Sequence, residues 1–267
     1  MAIQLQINGH IAQITLDAPQ SLNALALSDL VHLRKALCTC QDDEHVRVIV
    51  LTGKGDQAFC TGTQFNTRLA PSSGFASAAL KSREAEAEEG GYTRLIDLSD
   101  LEIWKPVIAA INGDCLGPGL ELALQCDLRI AVEGATFALP EVRMASLPAG
   151  GGVQYLLRAV PAAQAMKMAL TGDSIDSAQA LGIGLVSDVC ARDQLMPYAL
   201  KLADSIAANG PLAVQAIKKL AAQSSHLAVR DFVAQAHLHW GLLRDTRDRS
   251  EASHALAENR PPCYTGA

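Results

Sequence analysis

The chain has 267 residues, which suits one large domain or a core with a small appendage. Half of it is hydrophobic (49%) but aromatics reach only 4%, so the core must be built from Ala, Leu, Val and Ile. A net charge of −6 argues against a nucleic-acid partner for the whole protein and leaves room only for a local basic spot facing a phosphorylated ligand.

The opening residues, MAIQLQINGHIAQITL, alternate like a strand and lack a charged leader region. No apolar run is long enough to span a bilayer, so the expectation is a cytoplasmic protein with no membrane partner. Residues 3–7 and 10–16 flank Asn8-Gly9, a type I′ hairpin signal. Between 26 and 40, Leu27, Leu30, Val31, Leu33 and Leu37 fall at helical spacing, with Ser28 as candidate N-cap. VRVIVLTG (46–53) reads as a buried strand, followed by the loop AFCTGTQF (58–65) around Gly62. Residues 70–91 change character, from a Ser/Gly loop to an acidic Ala-rich helix that stops at Gly90-Gly91; this is a surface insertion.

VIAAING (107–113), introduced by Lys105-Pro106, is the next strand and runs into GDCLGPGLELALQCD (113–127), helical over 119–126. LRIAVE and FALPEV are further strands, and PAGGG (148–152) is a glycine-rich loop. From Gln154 the pattern is helical, with breaks at Pro161, Gly172-Asp173, Gly182 and Gly184 and a short strand within 181–189. Two long helical segments follow, 195–222 and 226–245, separated near Ser224-Ser225. Strands that alternate with helices and then give way to helices predict an α/β core with parallel strands and a helical C-terminal part. The division falls at 1–194 and 195–267.

The seven cysteines have no framework spacing. Cys38-x-Cys40 lacks a second pair to complete a zinc set, so reduced thiols and no metal are expected. His237 and His239 fall on different faces of a helix. There is no dinucleotide fingerprint, P-loop or G-x-S-x-G.

Two glutamates stand out. Glu121 lies in an otherwise apolar run, and its bland reading is a glutamate at a helix N-terminus, favoured by the dipole. Glu141 follows Pro140, which pushes Leu139 extended and places Glu141 at a strand end or tight turn. The functional reading of each is a perturbed carboxylate in a site, and alone Glu121 carries it better than Glu141. The loops at 58–65 and 113–119 both follow strands, where free N–H groups could face a ligand as an oxyanion hole requires.

Taken together, six segments resemble the crotonase (enoyl-CoA hydratase/isomerase) superfamily. They are LDAPQSLNAL (16–25), AFCTG (58–62), KPVIAAINGDCLGPGLELALQCDLRIA (105–131), FALPEVRMASLPAGGGVQYLLRAV (137–160), LTGDSIDSAQALGIGLVSDV (170–189) and ENRPPCYTG (258–266). The resemblance covers essentially the whole chain. It implies a crotonase-like spiral of ββα turns over 1–194 that binds an acyl-CoA thioester. It also implies C-terminal helices that build a homotrimer or a dimer of trimers, with Leu238, Trp240, Leu242 and Leu243 as candidates for burial there. Coenzyme A belongs to the substrate, and no cofactor is expected.

The family's glutamate pair falls on Glu121 and Glu141; Glu141 is implied as the acid/base at Cα and Glu121 as the group that activates water. Of the family's two oxyanion N–H groups, one falls on Thr61. The other falls on Pro118 in Gly117-Pro118-Gly119, and proline has no N–H; Gly119 is the neighbouring donor. Where the family commonly reads A-G-A-D, this chain reads Thr61-Gly62-Thr63-Gln64. Arg68 is a candidate phosphate contact or a solvated surface residue, and 70–91 is the expected cover of the acyl pocket. Three readings follow: a hydratase, an isomerase or other enolate enzyme, and an acyl-CoA binder weakened catalytically by Pro118.

Overall fold

The computed structural model describes residues 2–64, 80–87 and 93–267, and of Glu84 only the backbone. Arg68, Gly90-Gly91 and most of the 70–91 insertion lie outside the described residues; within that insertion, α2 (Arg83–Glu86) is helical.

Among the described residues, ten strands form two sheets. In the first, β1 (Ile3–Asn8) and β2 (Ile11–Leu16) make an antiparallel hairpin. β3 (Val48–Gly53), β5 (Val107–Ile111), β7 (Leu128–Val132) and β10 (Asp188–Cys190) extend it in parallel, in the order β1-β2-β3-β5-β7-β10. β3 (VIVLTG) and β5 (VIAAI) are buried along their whole length, as continuous aliphatic runs in a covered parallel sheet must be. The second sheet has the order β4-β6-β8-β9, from Ala58–Cys60, Asp114–Leu116, Thr136–Ala138 and Ile175–Asp176. Each long strand hands the chain across to a short one: β3 to β4, β5 to β6, β7 to β8.

Helices follow the last two pairs: α4 (Pro118–Leu124) directly after β6, then, past a 3-10 turn over Pro140–Met144, α5 (Gly152–Ala159) and α6 (Ala162–Thr171) beyond β8. α3 (Thr93–Ile96) precedes β5. This is the ββα repeat. Because β4, β6 and β8 run parallel as neighbours, their carboxyl ends emerge side by side. Thr61, Gly117 and Pro140-Glu141 lie just beyond those ends, where α/β sheets gather ligands. Phe59 and Phe137, from this short sheet, are the largest fully buried side chains; the rest of the core is mainly aliphatic, as the scarcity of aromatics requires.

α1 (Leu27–Asp42) covers the first sheet with Leu30, Leu33 and Leu37. Its N-cap is Ala26, not Ser28: Asp29, three residues in, reaches back to accept the Ala26 N–H at 3.0 Å. The hairpin loop is Gly9-His10, since Asn8 already pairs with Ile11. Only Gly9 has positive φ (58°), whereas a type I′ turn needs it at both loop positions. The strand expected within 181–189 is displaced to 188–190, because α7 (Ser177–Gly182) runs into the range behind an Asp176 cap.

The first long C-terminal segment is also two helices. α8 (Leu195–Ala207) buries Leu195, Ala199, Ala203 and Ala207 against the first sheet, and the chain breaks at Gly210 so that Pro211 can open α9 (Pro211–Gln223). α10 (Val229–Arg244) packs on α9, and no residue of either is buried. α9 is tied to the core by Lys218, which pairs with Asp127 at 2.7 Å, and by Lys219 over the Trp104 ring. α11 (Arg247–Ala257) ends the fold, and its Asp248 accepts the N–H groups of Thr265 and Gly266 from the returning tail. Among the described residues no helix is long and apolar enough to cross a membrane.

Candidate active site

Two buried asparagines build the loop that carries Thr61. Asn23 sits in the left-handed region (φ 56°), which Asn tolerates better than most residues. Its Oδ1 accepts the Ala18 N–H, and its Nδ2 donates to the carbonyls of Lys54 and Ala58. Asn112 accepts the Gly53 N–H and donates to Gly55 and Ala58 from the other side. The β3–β4 turn is thereby fixed, and β4 delivers Thr61 at its end. The Thr61 N–H donates to the Leu22 carbonyl at 3.2 Å, and the Thr61 hydroxyl to the same oxygen at 3.3 Å. Beyond it, Leu25 accepts the Gln64 N–H and gives its own N–H to Gly62. The Gln64 amide donates to Ser21 and Ala24, so this side chain faces the neighbouring loop. Thr63 Oγ1 is buried and has no hydrogen-bond partner.

The start of α4 lies directly against this loop. A methyl on Gly62 would stand 3.3 Å from Pro118 Cδ, and one on Gly119 would stand 2.0 Å from the Cys60 carbonyl oxygen. Gly117 turns the chain into the helix with φ 52° and donates to Ala138 at 2.8 Å. Pro118 takes the first helical position, where its fixed φ suits the helix. It contributes no N–H, so Gly119 is the first donor of the turn.

Glu121, one turn further on, is 1% exposed. Its Oε1 accepts the N–H of Gly152 at 2.8 Å, the first residue of α5, so the carboxylate sits at that helix's positive end. A methyl at Gly152 would fall 2.8 Å from Oε1, which is why the approach requires glycine. Burial pushes the Glu121 pKa up to about 7; the Gly152 N–H opposes this, the Glu141 charge adds to it, and the Gly150 N–H opposes it again.

Glu141 is 8% exposed, on a 3-10 turn that Pro140 opens. Neither carboxylate oxygen has a partner in another residue. Burial raises its pKa, and its own backbone N–H draws it part of the way back. Its Oε1 lies 2.9 Å from where a Cβ on Gly117 would stand, and Gly117 is the residue whose carbonyl accepts the Glu121 N–H. Glu141 therefore lies beside Gly117, at the turn that opens the helix carrying Glu121, and its charge is one of the causes that raise the Glu121 pKa. Among the described residues no cluster of His, Cys, Asp or Glu is placed to hold a metal.

A family model described as Enoyl-CoA hydratase/isomerase matches residues 6–267. The chain belongs to the enoyl-CoA hydratase/isomerase family. Among its relatives, the (E)-benzylidenesuccinyl-CoA hydratase of Thauera aromatica is 40% identical over 267 residues, covering 100% of both chains. The 2,3-dehydroadipyl-CoA hydratase of Escherichia coli is 37% identical, covering 95% of this chain and 94% of that one. The crystal structure of an enoyl-CoA hydratase from Bacillus anthracis superposes with a TM-score of 0.87 at 31% identity, over 100% of both chains. The expected crotonase-like spiral is thus the fold of this family member. Sequence reasoning missed Gly152 and Gly150 as the groups that hold Glu121, although PAGGG was visible as a loop. It also gave Asn23 no role, although SLNAL was part of the family match.

Proposed function

We propose that this chain is a lyase that adds water across the double bond of a 2-enoyl-CoA thioester, with Glu121 and Glu141 as its acid/base pair. The observation that carries the reading is two buried carboxyls, both with raised pKa, one with both oxygens unpartnered. Glu121, held by Gly152, takes the proton from water as its oxygen bonds to Cβ. Glu141 delivers a proton to Cα, so the net change is HO– at Cβ and H– at Cα. The thioester carbonyl carries the developing charge. Thr61 and Gly119 are its backbone donors, the former shared with Leu22, while Gly62, Thr63, Gln64 and Pro118 line the approach. Coenzyme A is part of the substrate, and the reaction asks for no further cofactor. The seven free thiols suit a reducing, cytoplasmic setting. The core is assigned to 1–194 and the helical region to 195–267.

The test is hydration of crotonyl-CoA followed across pH. The acid limb of kcat/KM is expected near pH 7, because below the raised pKa of Glu121 the base is protonated. Pro118 favours a second reading, an acyl-CoA binder with little turnover. Tight binding of acyl-CoA thioesters without hydration or double-bond migration would select it.

The helical region supports a homo-oligomer, a trimer or a dimer of trimers. Val229, Leu238, Trp240 and Leu242 of α10 and Ile217 of α9 are more than half exposed, and Leu243 is half-buried. Exposed apolar side chains in this number on two packed helices support an interface there. Light scattering at micromolar concentration is expected to give a multiple of three subunits; a monomer would contradict this.

A further inference from the structure

We propose that Arg143 is a positioning residue: its guanidinium clamps the 3-10 turn that presents Glu141 to the C-terminal end of α6, and so fixes where the Glu141 carboxyl stands. The inference rests on the reading of Glu141 above as the acid at Cα, and deepens it. Among the described residues neither Glu141 oxygen has a hydrogen-bond partner, so no hydrogen bond to the side chain sets its place. The carboxyl goes where the turn Pro140–Met144 carries it. That turn closes through the N–H groups of Ala145 and Ser146, which donate to Val142 and Glu141, with Ala145 in the left-handed region at φ 54°. A residue with a side chain persists in that region only where its surroundings hold it there, so the turn needs support from outside.

Arg143 supplies that support. Three residues make one turn of a 3-10 helix, so Arg143 leaves on a different side from Glu141. Its Nε donates to the Thr171 carbonyl at 3.1 Å, and its Nη2 pairs with Asp173. Thr171 is the last residue of α6, where carbonyls lack partners within the helix and the dipole favours a cation. Asp173 is itself held, since its N–H donates to the Thr171 hydroxyl. Gly172, between the two acceptors, has φ 68°, and a methyl on it would stand 3.1 Å from Arg143 Nε and 3.2 Å from Pro140 Cα. The end of α6 therefore packs directly on the turn. The Arg143 and Asp173 side chains are 56% and 58% exposed, so their charge attraction alone is screened and weak. The hold comes from a planar fork meeting two fixed acceptors, which a lysine cannot reproduce.

The experiment follows crotonyl-CoA hydration and the hydrogen exchange of the Ala145 and Ser146 amides in wild type, Arg143→Met and Arg143→Lys, and repeats the methionine substitution in Glu141→Gln. Arg143→Met is expected to lower kcat by ~10-fold, since a misplacement of ~1 Å can cost ~10²-fold, while KM stays within about threefold. Lysine reaches one of the two acceptors, so Arg143→Lys should recover to within about threefold of wild type. In Glu141→Gln the methionine effect should shrink to about twofold or less, because no acid remains to be misplaced. The two amides should exchange ~10-fold faster in Arg143→Met, with the rest of the chain unchanged. An unchanged kcat in Arg143→Met overturns the proposal, and so does an equal loss with and without the Glu141 carboxyl, which marks a purely structural role. If the wild type hydrates nothing, the hydratase reading falls by itself and exchange decides. Faster exchange confined to the turn then upholds the clamp, and exchange at the wild-type rate overturns it in either case.

Discussion

Glu141→Gln is expected to lower kcat for enoyl-CoA hydration by ~10²–10⁴-fold, the range of a general acid–base group, while coenzyme A affinity stays within about threefold. The substitution is close to isosteric, so it leaves no cavity, and it removes a charge that the fold holds buried and unpartnered. The folded state should therefore be no less stable, and a loss of rate cannot be put down to misfolding. A second consequence has a definite sign. The Glu141 charge raises the Glu121 pKa, so its removal should lower that pKa and move the acid limb of any residual activity to lower pH. Parallel loss of coenzyme A binding and rate would instead mean that Glu141 shapes the pocket and does not act on the reacting atoms.

The sequence exposed the chemistry of this pair more readily than the structure around it. Glu121 and Glu141 were legible because charged residues in apolar surroundings are rare, and because Pro140 announces the turn that carries the second. The long strands β3 and β5 were legible as aliphatic runs. Their short partners β4 and β6 read as loops, since three residues carry too little periodicity to identify a strand. Yet those strands line up Thr61 and Gly117. The contact between Gly152 and Glu121 spans 31 residues and depends on a glycine's missing side chain, which no local pattern records. The break at Gly210-Pro211 was hidden by apolar residues continuing on both sides, although Pro at a helix's first position is a recognisable start.

Pro118→Gly is expected to raise kcat on an enoyl-CoA by ~10-fold or more, a cautious part of the ~10²–10³ attributed to one oxyanion donor. The substitution restores an N–H at the first position of α4, beside Gly62 and in the corner that Glu141 occupies. The need for it is plain from the neighbouring donors: the Thr61 N–H is already engaged by Leu22, and Pro118 offers none. The gain should appear in kcat more than in KM, because the new bond strengthens as charge develops on the oxygen. Glycine also widens the unfolded ensemble and loosens the helix start, so the melting temperature should drop modestly. That loss separates the two effects of proline here, since stability and rate should move in opposite directions. A folded Pro118→Gly chain with unchanged or lower kcat would show that the hole is already complete without this N–H. The proline would then belong to a corner rebuilt for a different enolate reaction.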